Sequence, residues 1–513
     1  MPDRPSLRPQ HVTPRPLHGV TELLGVRAPD DADVPITGVT HDSRQVRPGD
    51  LYAALPGTKS HGATFADQAV AAGAAAVLTD STAAVSGHGV PIIRVADPRA
   101  RLGRVAAYVY GEPGHDLLML GITGTNGKTT TAHLMESGLQ AAGQRTGLIG
   151  TIETRVGDEQ FPSVRTTPEA TDLHALLAVM RERGATACVM EVSSHALVLS
   201  RVDGIVFDVV GFTNLSQDHL DFHADLEEYF AAKASLFTRQ RSRRGVVTVD
   251  DEYGRRLATQ AEVPVVTVSA RHDADWQVTK QEVGHSGSNA ATLEHRDGRH
   301  LGVATQLPGD FNLANAALAM VMLIEAGVDA THAFRGVMRC RGVPGRMERV
   351  QSTGLDEPLA LVDYAHTPDA IENVLRALRP STPGRLVVVV GAGGDRDPHK
   401  RAAMGAAAAR HADLVIVTDD NPRSEDPADI RAAVIAGARA AGAEPTEVEE
   451  IGDRSAAMIR AAETTWSTDT VVVLGKGHEQ GQEVAGVVHP FDDRIVLREA
   501  LEWVNDLRDE EIR

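Results

Sequence analysis

Residues 121–143, GITGTNGKTTTAHLMESGLQAAG, decide how the rest of the chain is read. The apolar run LLMLGIT leads into Gly124, Thr125, Asn126, Gly127, Lys128, Thr129 and Thr130. A helical pattern follows, with Leu134, Met135, Gly138, Leu139 and Ala142 on one face. Strand, glycine-rich loop and helix in that order make a phosphate cradle. The glycines let backbone N–H groups curl around anionic oxygens, and the helix N-terminus adds its positive dipole end. Lys128 is placed to reach the β and γ phosphates of a nucleotide, and the Thr129 hydroxyl to ligate Mg²⁺. Counted from Gly124, the loop is shorter than the usual G-x-x-x-x-G-K-[ST], which marks a variant of the motif. Such a loop establishes nucleotide binding and leaves the chemistry open, because motors, switches and kinases share it.

Working outward, apolar strands such as ACVMEV and IVFDVVGF alternate with helical patterns up to about residue 345. That alternation predicts a mostly parallel sheet covered by helices. Upstream, about residues 34 to 110 alternate short β-rich runs with Ala-rich helical stretches. Past GVPGRMERV the pattern restarts, with strands expected at LALVDY, LVVVV, LVIVT and VVVLG, as in a second doubly wound unit. A chain of 513 residues is too long for one core. We therefore expect an α/β protein of three domains: a small N-terminal domain (19–110), a central P-loop domain (111–346) and a C-terminal Rossmann-like domain (347–513). Residues 1–18, rich in Pro and Arg, read as a disordered tail.

Composition excludes several classes. No run approaches the roughly 20 apolar residues needed to span a bilayer, and the N-terminus lacks the apolar stretch of a signal peptide. A net charge of −19 argues against a general nucleic-acid or membrane binder. Any polyanionic substrate must then be held by local donors. Cys188 and Cys340 can form no disulfide framework and have no metal spacing, so a cytoplasmic location is expected.

Glu191 ends ACVMEV, and His219 lies in FTNLSQDHLDFH, after the next strand. Ligands of open α/β sheets bind at the C-terminal ends of strands, where a carboxylate and an imidazole suit Mg²⁺; either side chain could equally be structural. His223 reads as solvated or capping. In DLEEYFAAKASLF, Lys233 stands three or four positions from Tyr229, Phe230, Leu236 and Phe237. Two readings fit. The stem snorkels over the core, or the amine is buried and pushed toward neutrality, where it can react with CO₂ to give a metal-ligating carbamate.

Four polar clusters follow the strands of the last domain: Asp363 to His366, Gly391 to Arg396, Asp419 to Arg423 and Gly475 to Glu479. One such cluster is a common capping device; four together describe the rim of a site. The forks of Arg396 and Arg423 suit carboxylates, and Glu479 suits an ammonium, a set fitting a zwitterionic amino acid with an extra carboxylate. The GAGG run at 391–394 also admits a dinucleotide reading, although it lacks the full G-x-G-x-x-G.

In order, THDSRQVRPGDLYAALPG, GTNGKTTT, EVSSHAL, NLSQDHLDFH with AAKASLF, GDFNLANAALA, GVPGRME, DYAHTPDA, GGDRD, DNPR and GKGHE resemble the motifs of the Mur ligase family across the chain after the tail. The resemblance implies ATP-dependent addition of meso-diaminopimelate, marked by DNPR, to the D-glutamate of UDP-MurNAc-L-Ala-D-Glu, in a protein expected to be a monomer. It also implies roles. Thr40, Asp42, Ser43 and Arg44 would line a UDP pocket, while Thr166, Thr167, Ser194 and Arg201 would hold the muramoyl peptide. Without the family, Thr167-Pro168 reads as a helix N-cap. Gly124 to Thr130 and Asn312 would bind ATP; Thr129, Glu191, His219 and carbamylated Lys233 would organise Mg²⁺; Arg346 and His366 would approach the nucleotide. Arg396, Asp420, Asn421, Pro422, Arg423, Gly475 and Glu479 would hold the amino acid. Leu199 departs from the pattern, since members can carry Gln there, which weakens one substrate contact but not the assignment.

A lysine-adding homologue, a folate polyglutamate synthetase-like ligase and, from another class, a nucleotide-gated binding protein compete with this reading. Lysine has no second carboxylate for Arg423. Folate enzymes lack the DSR…PGD segment, and a binder leaves the polar strand ends of the last domain unexplained.

Overall fold

The computed structural model describes residues 7–29, 33–57, 60–85, 89–163, 165–283, 289–340, 342–352, 357–441 and 446–512. Three larger sheets succeed one another along the chain, as the alternation of apolar runs and helical patterns predicts. The first is parallel and in sequence order: Gly38–Thr40, Asp50–Ala54, Ala76–Asp80 and Ile92–Val95.

The central sheet is parallel from Thr146–Ile149 through to Trp276–Val283, with antiparallel strands added at both edges. Leu118–Thr123 lies inside it, between Ala187–Glu191 and Val209–Phe212. From Leu118–Thr123 the chain builds first to one side and then to the other. The C-terminal end of that strand is therefore the topological switch point, where open α/β sheets form a crevice.

The third sheet runs in the order Glu348–Val350, Leu359–Asp363, Thr470–Leu474, Leu386–Val390, Leu414–Val417, Glu447–Glu450, with only the first strand antiparallel. Val387 to Val390 and Val471 to Val473 are fully buried, because helices cover both faces. Such strands read as unbroken apolar runs, and each buried Val contributes about 1.5–3 kcal/mol.

The helix Ala170–Glu182 is apolar nearly all round, for a structural reason. Leu173, Leu177 and Met180 pack under the central sheet, whereas Ala170, Ala175 and Ala178 join the core of the first. One helix thus serves two cores. His41 adds a polar tie, with Nδ1 2.9 Å from Thr171 Oγ1.

The expected disordered tail needs correction. Residues 1–6 lie outside the described residues, but from Leu7 onward the segment is packed. Arg8 Nη1 donates to Asp50 Oδ2 at 2.6 Å, with the two side chains 6% and 2% exposed. The amides of Gln10 and His11 donate to the Glu182 carboxylate, Arg15–Pro16 pairs with Pro35–Ile36, and Leu17 opens a helix to Leu24. Composition reports local propensity, whereas this segment is held by carboxylates distant in sequence. Among the described residues no helix is long and apolar enough to cross a membrane.

Candidate active site

The strand Leu118–Thr123 delivers the loop 124–127 to the N-terminus of the helix Lys128–Ala141. Gly124 has φ +144° and Gly127 φ +86°, conformations that side chains disfavour. A Cβ on Gly124 would collide with Thr213 Oγ1, and one on Gly127 with Asn315 Oδ1. The next strand's end braces the loop: Thr213 Oγ1 donates to Asn126 O at 2.6 Å, and Asn126 N to Asn214 Oδ1 at 3.0 Å. Lys128 Nζ curls back to the carbonyls of Gly124 and Thr125, both at 2.8 Å.

Glu191 is fully buried at the end of its strand. It accepts from Thr129 Oγ1 at 2.9 Å, Thr151 Oγ1 at 3.0 Å and Thr151 N at 2.8 Å. Arg346 Nη2 donates to Thr129 Oγ1 at 3.2 Å, and its guanidinium lies 4.3 Å from the Tyr364 ring centroid. The Thr129 hydroxyl thus joins the phosphate loop, a strand-end carboxylate and the third sheet's entry.

Lys233 is 1% exposed, so of the two sequence readings the buried amine is the one observed. Nζ donates to Gly124 O at 2.7 Å and stands 4.4 Å from the Tyr229 ring centroid. Burial, reinforced by the charge of Lys128, pushes the amine well below the ordinary lysine range. Burial also pushes the imidazoles of His219 and His366 down. His366 Nδ1 is 2.8 Å from Tyr364 O, and Nε2 faces Asp218 Oδ2 at 3.8 Å. With Nδ1–H on the carbonyl, Nε2 is the proton-accepting nitrogen.

A cavity of about 640 Å³ is lined by Thr125 to Thr130, Thr166, Glu191, Ser194, His219, Lys233, Asn312, Arg346 and His366. Central and third sheets both contribute. Among the described residues no three His, Cys, Asp or Glu side chains form a cluster able to hold a metal by themselves. Thr129 and Glu191 nevertheless offer hard oxygen donors 2.9 Å apart, and Mg²⁺ commonly takes one or two carboxylates and completes its shell with water and phosphate oxygens.

The remaining candidates lie outside this cavity lining. Thr167 Oγ1 donates to Glu191 O at 2.8 Å and accepts from Ser193 N at 3.1 Å. It caps no helix, because the next one begins at Ala170 with Glu169 in the N-cap position. Arg201 Nη2 pairs with Glu169 at 2.8 Å. In the first domain, Asp42 accepts from Arg44 N, Nε and Nη2 at 3.0, 2.9 and 2.7 Å, which holds its carboxyl below the usual range. Thr40 and Ser43 are buried beside it.

Around the third sheet, Asn421 Nδ2 donates to Glu479 Oε2 at 2.9 Å. Arg423 adopts φ +52°, its backbone pairs with the hairpin strand Gly481–Val484, and Nη1 donates to Gly394 O at 2.6 Å. Arg396 is exposed and borders a smaller cleft with Asp221 and Asp397. Gly391 to Gly394 open no helix, since the next begins at Lys400, so the dinucleotide reading falls.

Sequence reasoning missed several partners. His223, read as solvated or capping, is buried with Nε2 2.9 Å from Ser194 Oγ, a pairing 29 residues apart that no local pattern reports. Asp218 faces both His366 and Lys400, and Asp363 accepts from Met347 N at 2.7 Å. Both stand inside quoted motifs, which was the available signal.

A phosphate loop at a switch point, facing basic groups from a second α/β sheet, defines a multidomain nucleotide-using enzyme. Three segments match Mur ligase descriptions: the family's catalytic domain over residues 35–110, its middle domain over 122–323 and its glutamate ligase domain over 345–477. A UDP-N-acetylmuramoyl-L-alanyl-D-glutamate–2,6-diaminopimelate ligase of Streptomyces coelicolor is 57% identical over 500 residues, covering 96% of this chain and 98% of that protein. A UDP-N-acetylmuramyl-tripeptide synthetase of Leifsonia xyli is 47% identical, covering 96% and 98%. A solved structure of a UDP-N-acetylmuramoyl-L-alanyl-D-glutamate–2,6-diaminopimelate ligase superposes with a TM-score of 0.68 at 32% identity, covering 96% and 99%. The chain belongs to the Mur ligase family.

Proposed function

We propose that this chain is an ATP-dependent amide ligase that joins meso-diaminopimelate to the D-glutamyl γ-carboxylate of UDP-MurNAc-L-Ala-D-Glu, in the cytoplasm and as a monomer. The observation that carries the reaction class is the shared cavity, in which the phosphate loop meets Arg346 and His366 from the third sheet. The name of the 57%-identical relative supports the choice of amino acid.

The γ-carboxylate attacks the γ-phosphate of ATP and gives an acyl phosphate with ADP. Lys128 and Arg346 stabilise the charge that spreads over the transferring oxygens, and the loop amides hold the nucleotide in line. The neutral amine of diaminopimelate then attacks the acyl carbon, and phosphate leaves. His366 is the candidate base for the amine's proton, which its Nε2 would accept. Thr129, Glu191 and His219, with Lys233 as its carbamate, would hold Mg²⁺, which supplies charge neutralisation on the phosphoryl oxygens. The burial of Lys233, reinforced by the charge of Lys128, fits that modification, because it lowers the amine toward neutrality and only a neutral amine adds CO₂. Asn421, Arg423 and Glu479 receive the amino acid, and Thr40 to Arg44 the uridine end.

The test is phosphate release with ATP, Mg²⁺ and UDP-MurNAc-L-Ala-D-Glu, adding meso-diaminopimelate or L-lysine in parallel. Release with diaminopimelate alone, lost on Arg423→Ala, is expected. Release with lysine instead refutes the assignment of Arg423, and no release with either amine refutes the ligase.

A further inference from the structure

Lys476, in the loop after Thr470–Leu474, is 0% exposed, which a lysine rarely is unless its charge is paired. Its surroundings are polar. Nζ donates to Asn421 Oδ1 at 3.0 Å and to Glu479 Oε2 at 3.2 Å, with Asp420 Oδ1 3.9 Å away. Asn421 donates its own Nδ2 to the same Glu479 oxygen and accepts from Glu483 N at 2.9 Å. These contacts fix the orientation of the Asn421 amide: Oδ1 faces two groups that only donate, and Nδ2 faces a carboxylate that only accepts. Lys476 also offsets one of two neighbouring carboxylates, leaving the cluster of Lys476, Asp420 and Glu479 with one net negative charge. Both internal donors converge on Oε2 of Glu479, which leaves Oε1 to meet an incoming ammonium.

We infer that Lys476 is a positioning residue for amino-acid selection: it sets the Asn421 amide and the Glu479 carboxylate in the orientation that receives the ammonium end of the incoming amino acid. This rests on the reading that the third sheet binds that amino acid. The lysine's charge is spent inside the protein, so it touches no ligand. A lysine that merely tied two loops together would, when replaced, weaken the whole enzyme. A positioning lysine alters one Michaelis constant.

The experiment uses the full chain as Lys476→Met, Glu479→Gln and the double variant, each checked by thermal melting. Phosphate release is titrated separately in meso-diaminopimelate, ATP and UDP-MurNAc-L-Ala-D-Glu. Positional isotope exchange in ATP without amine reports the first half-reaction. Lys476→Met is expected to raise KM for diaminopimelate by about 10- to 100-fold, the value of a hydrogen bond to a charged group. The other two KM values and the exchange rate stay within about twofold, as expected for separate sites. In the Glu479→Gln background, replacing Lys476 adds less than about threefold, because the lysine acts largely through that carboxylate. This comparison, with the double variant no longer carrying an unbalanced Glu479, decides the matter if Lys476→Met alone does not fold. An unchanged diaminopimelate KM, a parallel rise in all three constants, or fully multiplicative effects in the double variant would overturn the inference. A wild-type chain that does not use diaminopimelate defeats the functional reading itself, before any variant is compared.

Discussion

Replacing Arg454 by Met removes one half of a fully buried ion pair beneath the C-terminal strand ends of the third sheet. Neither Arg454 nor Asp493 exposes any side-chain surface, and the guanidinium grips the carboxylate through Nε and Nη2 at 2.8 and 2.7 Å. The same guanidinium donates to Leu474 O at 2.9 Å and Asp419 O at 3.3 Å, the ends of two strands that carry site loops. Methionine fills a similar stem volume, so packing changes little and the electrostatic loss dominates. Leaving Asp493 uncompensated costs about 3–5 kcal/mol. The two carbonyls left without this donor add about 1 kcal/mol. Hydrogen exchange followed by mass spectrometry reads this locally: amides of 414–417 and 470–474 should exchange about 10³-fold faster, at about 1.4 kcal/mol per decade. Replacing both partners, Arg454→Met with Asp493→Leu, removes the orphaned charge and should restore protection to within about tenfold of wild type. A double variant as unprotected as the single one would refute the reasoning, since packing and not the uncompensated carboxylate would then be the loss.

Burial pushes His174 down to about 4; Nε2 sits 3.0 Å from Asp203 O, and buried Nδ1 has no hydrogen-bond partner among the described residues. The unfolded chain, with an ordinary histidine value of 6.5, binds the extra proton first, so stability falls as pH drops from 6.5 toward 4. The loss amounts to about 3 kcal/mol, and thermal melts of His174→Gln across that window should lack this slope. Gly124→Ala places a Cβ against Thr213 Oγ1 at φ +144°, so calorimetric ATP titration should show at least about tenfold weaker binding from a strained loop; unchanged affinity would remove the steric argument for that glycine.

Much of this was legible in the sequence where the cause is local. The phosphate loop is written in consecutive residues, and the i±3 and i±4 neighbours of Lys233 put its stem on the core face, although they left a buried and a snorkelling amine both open. The apolar runs of the third sheet announce strands covered on both faces. What stayed illegible depends on distant pairing. Arg8 meets Asp50 42 residues away, which turned an apparent tail into structure. Ser194 meets His223 across two elements, and Lys476 meets Asn421 from the loop of a strand two places away in the sheet. Periodicity describes one element at a time and carries no information about which polar group a fold brings opposite.

The helix Ala170–Glu182, shared between two cores, has a consequence for substrate choice. Its apolar seam, stitched by Arg8, Gln10 and His41, welds the first domain to the central one. The third sheet meets the central one through the packing of Phe311 on its core and through polar contacts such as Asn126 Nδ2 to Asp369 at 3.3 Å and Lys400 to Asp218 at 3.6 Å. On the proposed function, a precursor anchored by its uridine at the welded end would be measured against a fixed ruler. Only a peptide arm of the right span puts its terminal carboxylate at the phosphate loop; a shorter arm falls short and a longer one overshoots. On this reading the first domain gauges length, and the third judges chemical identity.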